Sequence, residues 1–216
     1  MGVLIAVEGL DGAGKNTLVA GVMDELTRRG AAVSTFTFPR YGASVVADIA
    51  SEALHGEHGD LSESVHAMAL LFALDRADAA TQIRSALAEN DVVILDRYVA
   101  SNAAYSAGRL RQDASGDVVT WVTDLEFGRF DVPVPDQHLL LGVPATVAMQ
   151  RARSREATDP TRVRDAYERD DDLQMRVDAV YRQLASVGWA SPWIELGADS
   201  PDSTEPTRLV ERLIRK

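Results

Sequence analysis

The sequence predicts an α/β fold in three layers, with helices on both faces of a five-stranded, mostly parallel sheet. Three observations carry this. Short apolar, β-branched runs alternate along the chain with stretches of helical period. The run Val92-Val93-Ile94-Leu95 is apolar at every position, as a strand covered on both faces must be. No repeat, low-complexity tract or linker interrupts the 216 residues, so one domain spanning 1–216 is expected.

Val3 to Val7 reads as the first strand. A Gly-rich turn follows, then Leu18, Val19, Val22, Met23 and Leu26 at helical spacing, ending near Gly30. Val33 to Phe38 is a second strand that stops at Pro39. Ser44 to Leu54 is helical by composition, and Ser62 to Glu89 is a long helix with one apolar side. After the third strand at Val92–Leu95, Val118 to Phe130 reads as a helix and His138 to Val143 as a fourth strand. Ala145 to Arg153 and Asp165 to Ser186 read as two helices, with Ser154 to Thr161 between them as a flexible flap. Trp193 to Leu196 is a fifth strand and Glu205 to Arg215 a terminal helix.

Composition excludes several functions. With no cysteine, the chain has no disulfide scaffold, thiolate metal site or cysteine nucleophile, which suits a reducing compartment. No apolar run approaches the ~20 residues that span a bilayer, and the N-terminus lacks signal-peptide character. A cytoplasmic protein that does not act at a membrane is expected. The formal charge of −11 repels polyanions, so no nucleic acid polymer is expected as a partner. Any small anion must be held by locally arranged cations and backbone amides.

Such an arrangement stands directly after the first strand. Gly9-Leu10-Asp11-Gly12-Ala13-Gly14-Lys15-Asn16-Thr17 joins strand to helix, with glycines that let N–H groups converge, a helix N-terminus and a lysine. It suits a polyphosphate, and ATP is the expected ligand of Gly9, Asp11, Gly12, Ala13, Gly14, Lys15, Asn16 and Thr17. Asn16 stands where a hydroxyl that holds Mg²⁺ is usual, so the metal is expected on substrate phosphates with help from Asp11, Asp96 or Glu168.

The third strand ends in Asp96-Arg97-Tyr98. Hydrolases commonly place a water-activating Glu after that Asp; an arginine suits an acceptor phosphate instead. No Asn-Lys-x-Asp guanine motif occurs. Phe38-Pro39-Arg40-Tyr41 lies beyond the second strand, at the edge where open α/β sheets bind ligands. Phe72 and Arg76 share a helix face four residues apart, a ring to stack on a base and a guanidinium for its edge, although Phe72 equally fits the core stripe. Ser101-Asn102 and Tyr105 follow Asp96, Asn102 offering both donor and acceptor; Ser101 alternatively caps a helix. Arg151, Arg153, Arg155 and Arg162 crowd the flap, where a closing segment would deliver positive charge and exclude water.

In their order and spacing these residues resemble the thymidylate kinases, P-loop nucleoside monophosphate kinases acting on dTMP. The resemblance rests on Glu8-Gly9-x-Asp11-Gly12-x-Gly14-Lys15, Phe38-Pro39-Arg40, Phe72 with Arg76, Asp96-Arg97-Tyr98 with Ser101-Asn102 and Tyr105, and Tyr167-Glu168, and it extends from Val3 to about Asp199. It implies a P-loop NTPase fold with a short lid at about 150–162, and the reaction ATP + dTMP → ADP + dTDP with Mg²⁺. Lys15 and the loop amides would hold ATP. Arg40 and Arg97 would hold the dTMP phosphate and Asp11 the sugar 3′-hydroxyl. Phe72 would stack on thymine, Arg76 and Asn102 would read its edge, and Tyr105 would crowd the 2′ position. Phe38, Tyr41 and Ser101 complete the expected dTMP site. Family members place a catalytic arginine either in the phosphate loop or in the lid. Gly12 occupies the loop position, so Arg153 and Arg155 are expected to act with Lys15 and Arg97. A homodimer is also implied.

Other readings remain at this stage. Another nucleotide or nucleoside kinase would share loop and flap, and a binding module would hold ATP without transfer. A metal protein would use His55-x-x-His58 with Glu57 and Asp60, a cluster of unspecific spacing.

Overall fold

The computed structural model describes residues 2–158, 164–197 and 205–214. Its strands are β1 (Val3–Glu8), β2 (Val33–Thr37), β3 (Val92–Asp96), β4 (Gln137–Leu141) and β5 (Trp193–Leu196). They form one sheet in the order β2-β3-β1-β4-β5, and every pair is parallel, so the expected mostly parallel sheet is wholly so. The helices are α1 (Lys15–Arg28), α2 (Val45–Leu54), α3 (Val65–Glu89), α4 (Val99–Leu110), α5 (Asp117–Thr123), α6 (Ala145–Thr158), α7 (Ala166–Arg169), α8 (Asp171–Val187) and α9 (Glu205–Ile214). A π-helical turn, Asp124–Arg129, continues α5. No helix among the described residues is long and apolar enough to cross a membrane.

Register sets up the site. Val7 of β1 and Thr37 of β2 both lie opposite Asp96 of β3, so three strands end side by side. The loop after β1, Phe38-Pro39 after β2 and Arg97 after β3 therefore share one edge, the carboxyl edge at which parallel sheets present ligand sites. The Phe38–Pro39 peptide is cis. The β1 and β3 side chains from Leu4 to Val7 and Val93 to Leu95 are buried, and packing on both sheet faces makes this edge rigid.

Several helices depart from expectation for identifiable reasons. α4 carries no large apolar period; its buried face is Ala100, Ala103, Ala104, Ala107 and Gly108, which lets α8 approach closely. A Cβ on Gly108 would stand 3.0 Å from Val177 Cγ2. The single helix expected over Asp165–Ser186 is two, because Asp165 caps α7 through the Glu168 N–H and Asp170, in extended conformation, caps α8 through the Leu173 N–H. The flap expected from Ser154 to Thr161 begins as helix: α6 continues to Thr158, and the remaining residues lie outside the described ones.

Candidate active site

β1 delivers the Gly-rich loop to the N-terminus of α1. Gly14 caps that helix at φ 103 and Gly12 turns at φ 88, conformations that L side chains rarely adopt. The N–H groups of Gly14, Lys15, Asn16 and Thr17 meet no acceptor among the described residues, which is the donor set an anion needs. Ala13 differs, its N–H being engaged by Leu10 O at 3.2 Å. Lys15 Nζ donates to Gly9 O at 3.2 Å and Leu10 O at 3.1 Å. Burial, followed by the Arg97 cation, pulls the Lys15 ammonium down to about 8. Asn16 is exposed and lines the cavity, whereas Thr17 is exposed and does not line it.

Gly12 has a second reason to be glycine. A Cβ there would lie 2.0 Å from Ala148 O and 3.2 Å from Ala152 N, both on α6. The helix backbone occupies the space that a loop side chain would need. Gly12→Ala is therefore expected to displace α6 and to cost about 1–3 kcal/mol from the positive φ alone. Thermal melting and steady-state kinetics check this. A fall in Tm with a loss of about 100-fold in kcat/KM is expected, and unchanged values would contradict the contact.

One cavity of about 560 Å³ runs along the strand ends from Lys15 and Asn16 past Asp96 and Arg97 to Phe72, Arg76 and Asn102. At its centre Arg97, with φ 63, places Nη2 2.7 Å from Asp11 Oδ1 and donates from Nη1 to Ser101 Oγ at 3.2 Å. The ion pair leaves Nη2 without an aligned acceptor among the described residues. Burial alone would raise the Asp11 carboxyl, yet Arg97 and Lys15 hold it well below the usual carboxylate range. Tyr105 donates to Asp11 Oδ2 at 3.3 Å and its ring stacks on Tyr167 at 6.0 Å, with the Arg97 guanidinium 5.6 Å from its centroid.

Behind Arg97, Glu8 is fully buried and accepts from Tyr98 N (2.9 Å), Ser101 Oγ (2.6 Å) and Tyr181 OH (3.1 Å). Ser101 therefore holds Arg97 in place as well as lining the cavity. At the far end Arg76 pairs with Glu126, and Asn102 Nδ2 donates to Ala69 O and to Glu126. Phe72, Phe38 and half-exposed Tyr41 also line the cavity.

Some expected residues sit elsewhere. Arg40 does not line the cavity: Nε donates to Asp75 Oδ1 (2.8 Å) and Nη2 to Asp75 O (2.9 Å) and Asp78 Oδ2 (2.6 Å), so α3 holds the guanidinium. Of the two lid arginines, Arg155 lines the cavity while Arg153 pairs outward with Asp171. Arg162 lies outside the described residues. Arg164 joins the wall instead, anchored to Glu156 at 2.8 Å. Arg109 joins it too, donating to Tyr167 OH and Ser62 O. Neither carried a motif in the sequence.

Asp11, Asp96 and Glu168 all face the cavity, but they do not converge as one three-ligand cage among the described residues. Asp11 is occupied by Arg97 and Lys15. Asp96 Oδ1, by contrast, is buried with no partner among the described residues, the donor a hard cation takes directly or through water. Burial and the nearby Asp11 and Asp165 push Glu168 up to about 7. The sequence's His55, Glu57, His58 and Asp60 do not converge; Glu52, Glu57 and His58 do, all exposed, with His58 Nε2 2.6 Å from Glu52 Oε2, while His55 turns to Ser51 O.

The family model described as thymidylate kinase matches residues 7–191. A thymidylate kinase of Mycobacterium tuberculosis (strain H37Rv) is 55% identical over 97% of this chain and 96% of its own length. One from Leifsonia xyli subsp. xyli is 35% identical over 86% of this chain and 82% of its own. One from Bifidobacterium longum (strain NCC 2705) is 32% identical over 86% and 84%. A phosphate loop, a strand-end Asp-Arg pair and an arginine-bearing α6 joined by one cavity, in a chain matched over nearly its whole length, place this protein in the thymidylate kinase family.

Proposed function

We propose that the protein transfers the γ-phosphoryl group of ATP to dTMP, giving ADP and dTDP for dTTP synthesis. The observation that carries this is one continuous cavity from Asp11, Lys15 and Asn16 of the loop to Phe72, Arg76 and Asn102, with Arg97 between them as a meeting point for two nucleotides.

In this reading Lys15 and the amides of Gly14 to Thr17 bind the ATP phosphates, and Arg97 binds the acceptor phosphate. Asp11 accepts from the sugar 3′-hydroxyl, and the Tyr105 ring closes the 2′ side. Phe72 stacks on thymine while Arg76 and Asn102 read its edge. Arg155, on the cavity face of α6, neutralises charge on the transferring group, and the segment at about 150–162 acts as the lid. A phosphate monoester has its second pKa near 6, so the attacking oxygen is already largely ionised at pH 7 and no general base is needed. Catalysis is then in-line alignment with charge neutralisation. Mg²⁺, when bound, supplies further charge neutralisation on the phosphates, and Asp96, whose buried Oδ1 has no partner among the described residues, would hold it from the protein side. The same reading makes the protein a Mg²⁺-dependent homodimer of the cytoplasm.

A coupled ADP-release assay with dTMP, dUMP, thymidine, AMP and CMP as acceptors tests it. The highest kcat/KM is expected with dTMP. Faster turnover of another acceptor, or ATP binding without transfer, defeats the proposal.

A further inference from the structure

We propose that Glu126 is a positioning residue that sets base specificity, by fixing which hydrogen-bonding groups Arg76 and Asn102 turn toward the bound base. The inference rests on the dTMP reading above. Glu126 belongs to neither the phosphate loop nor any strand end; the π-helical turn after α5 carries it under the base end of the cavity, where it is 0% exposed.

Its two oxygens organise both base-facing residues. Oε2 accepts from Arg76 Nε at 2.5 Å, and Oε1 accepts from Arg76 Nη2 at 2.8 Å and from Asn102 Nδ2 at 2.8 Å. Asn102 Nδ2 also donates to Ala69 O at 2.9 Å. Both amide protons of Asn102 are thus engaged by acceptors of the protein. The reversed amide would set its oxygen against a carboxylate and a carbonyl with no proton between them, so only one orientation is compatible with Glu126.

What remains for a ligand follows by subtraction. Asn102 presents Oδ1, a pure acceptor, to the cavity it lines. Arg76 has Nε and Nη2 engaged and retains Nη1, a pure donor, with no acceptor among the described residues. The wall is therefore donor beside acceptor. A pyrimidine with a carbonyl at C4 and a proton on N3 meets it group for group. One with an amino group at C4 and a bare N3 sets donor against donor and acceptor against acceptor. Buried polar groups left unpaired in this way are what makes such a site selective. Without the carboxylate, Ala69 O alone would oppose the reversed amide, and the preference for one orientation would weaken.

The test compares the wild type with Glu126→Gln, measuring kcat and KM for dTMP, dCMP and ATP. The substituted side chain keeps the shape but offers one donor and one acceptor group in place of two acceptors. The KM for dTMP is expected to rise about tenfold or more and the dTMP-to-dCMP ratio of kcat/KM to fall by at least about tenfold, with kcat and the KM for ATP changed by less than about threefold. A ratio within about twofold of the wild type, or equal losses with both nucleotides, overturns the proposal. Should Glu126→Gln fail to melt cooperatively, Glu126→Asp keeps the charge beside Arg76 but draws it back by one methylene, and the same ratio is read. Loss of cooperative melting in both variants also overturns it, because the carboxylate would then hold the fold rather than the base-reading pair. A wild type that prefers an acceptor other than dTMP instead refutes the functional reading, so the two failures are distinct.

Discussion

Lys15→Ala is expected to lower kcat/KM by about 10³-fold or more while the protein stays folded. Lys15 supplies the one full positive charge of the phosphate loop, in a site where burial strengthens each interaction with a developing charge. Stability should change little, for two reasons. The ammonium is held at a desolvation cost, visible in its depressed pKa of about 8, so removing it relieves a penalty. Its carboxylate neighbour Asp11 keeps the shorter contact to Arg97, at 2.7 Å against 3.8 Å for Lys15. Steady-state ADP release and a thermal melt measured together decide the matter: near wild-type turnover refutes the loop's role, and a collapsed melt refutes the argument about charge.

Arg97→Ala is expected to strike both activity and fold. In the proposed mechanism it removes the group that meets the acceptor phosphate, so kcat/KM for dTMP should fall by about 10³-fold, with the KM for ATP moving far less. It also leaves Asp11 with the longer Lys15 contact and the Tyr105 hydroxyl, and removes the Arg97 donor to Ser101. Breaking a fully buried pair costs several kcal/mol; Asp11 is 31% exposed and keeps Lys15, so about 2 kcal/mol is a fitting expectation. The positive φ at position 97 persists in the variant, so no relief of backbone strain offsets that loss. A double-mutant cycle with Asp11→Asn would isolate the pair, and additivity would show that the two residues do not communicate.

The parts of the molecule legible in the sequence are those whose physics is local. Strands β1 and β3 are continuous apolar runs, and the phosphate loop is a local run of glycines before a helix, so both could be read directly. α4 was not read as a helix of its own, because it buries alanines and a glycine rather than a stripe of large apolar residues. Side-chain destinations were legible only where no rival partner intervened. Arg40 stands where a phosphate-binding arginine should, but Asp75 and Asp78 on α3 reach its guanidinium, and separations of 35 and 38 residues hid them. Arg153 and Arg155 are two residues apart on a helix, about 200° around its axis, so they cannot both face the cavity. Ala152 and Arg155, three apart, do. Glu126 did leave a trace: it follows the buried Val118 and Val122 at intervals of four, a carboxylate standing on an apolar stripe.

The seating of α6 on Gly12 bears on how such proteins can diverge. A helix backbone 2.0 Å from the nearest side-chain atom that position 12 could carry makes the two placements of the arginine mutually exclusive within this geometry. A descendant acquiring any side chain there would first have to slide α6 outward. Divergence between the two kinds must therefore proceed through coordinated changes, or through an ancestor with a looser lid, rather than by a single substitution.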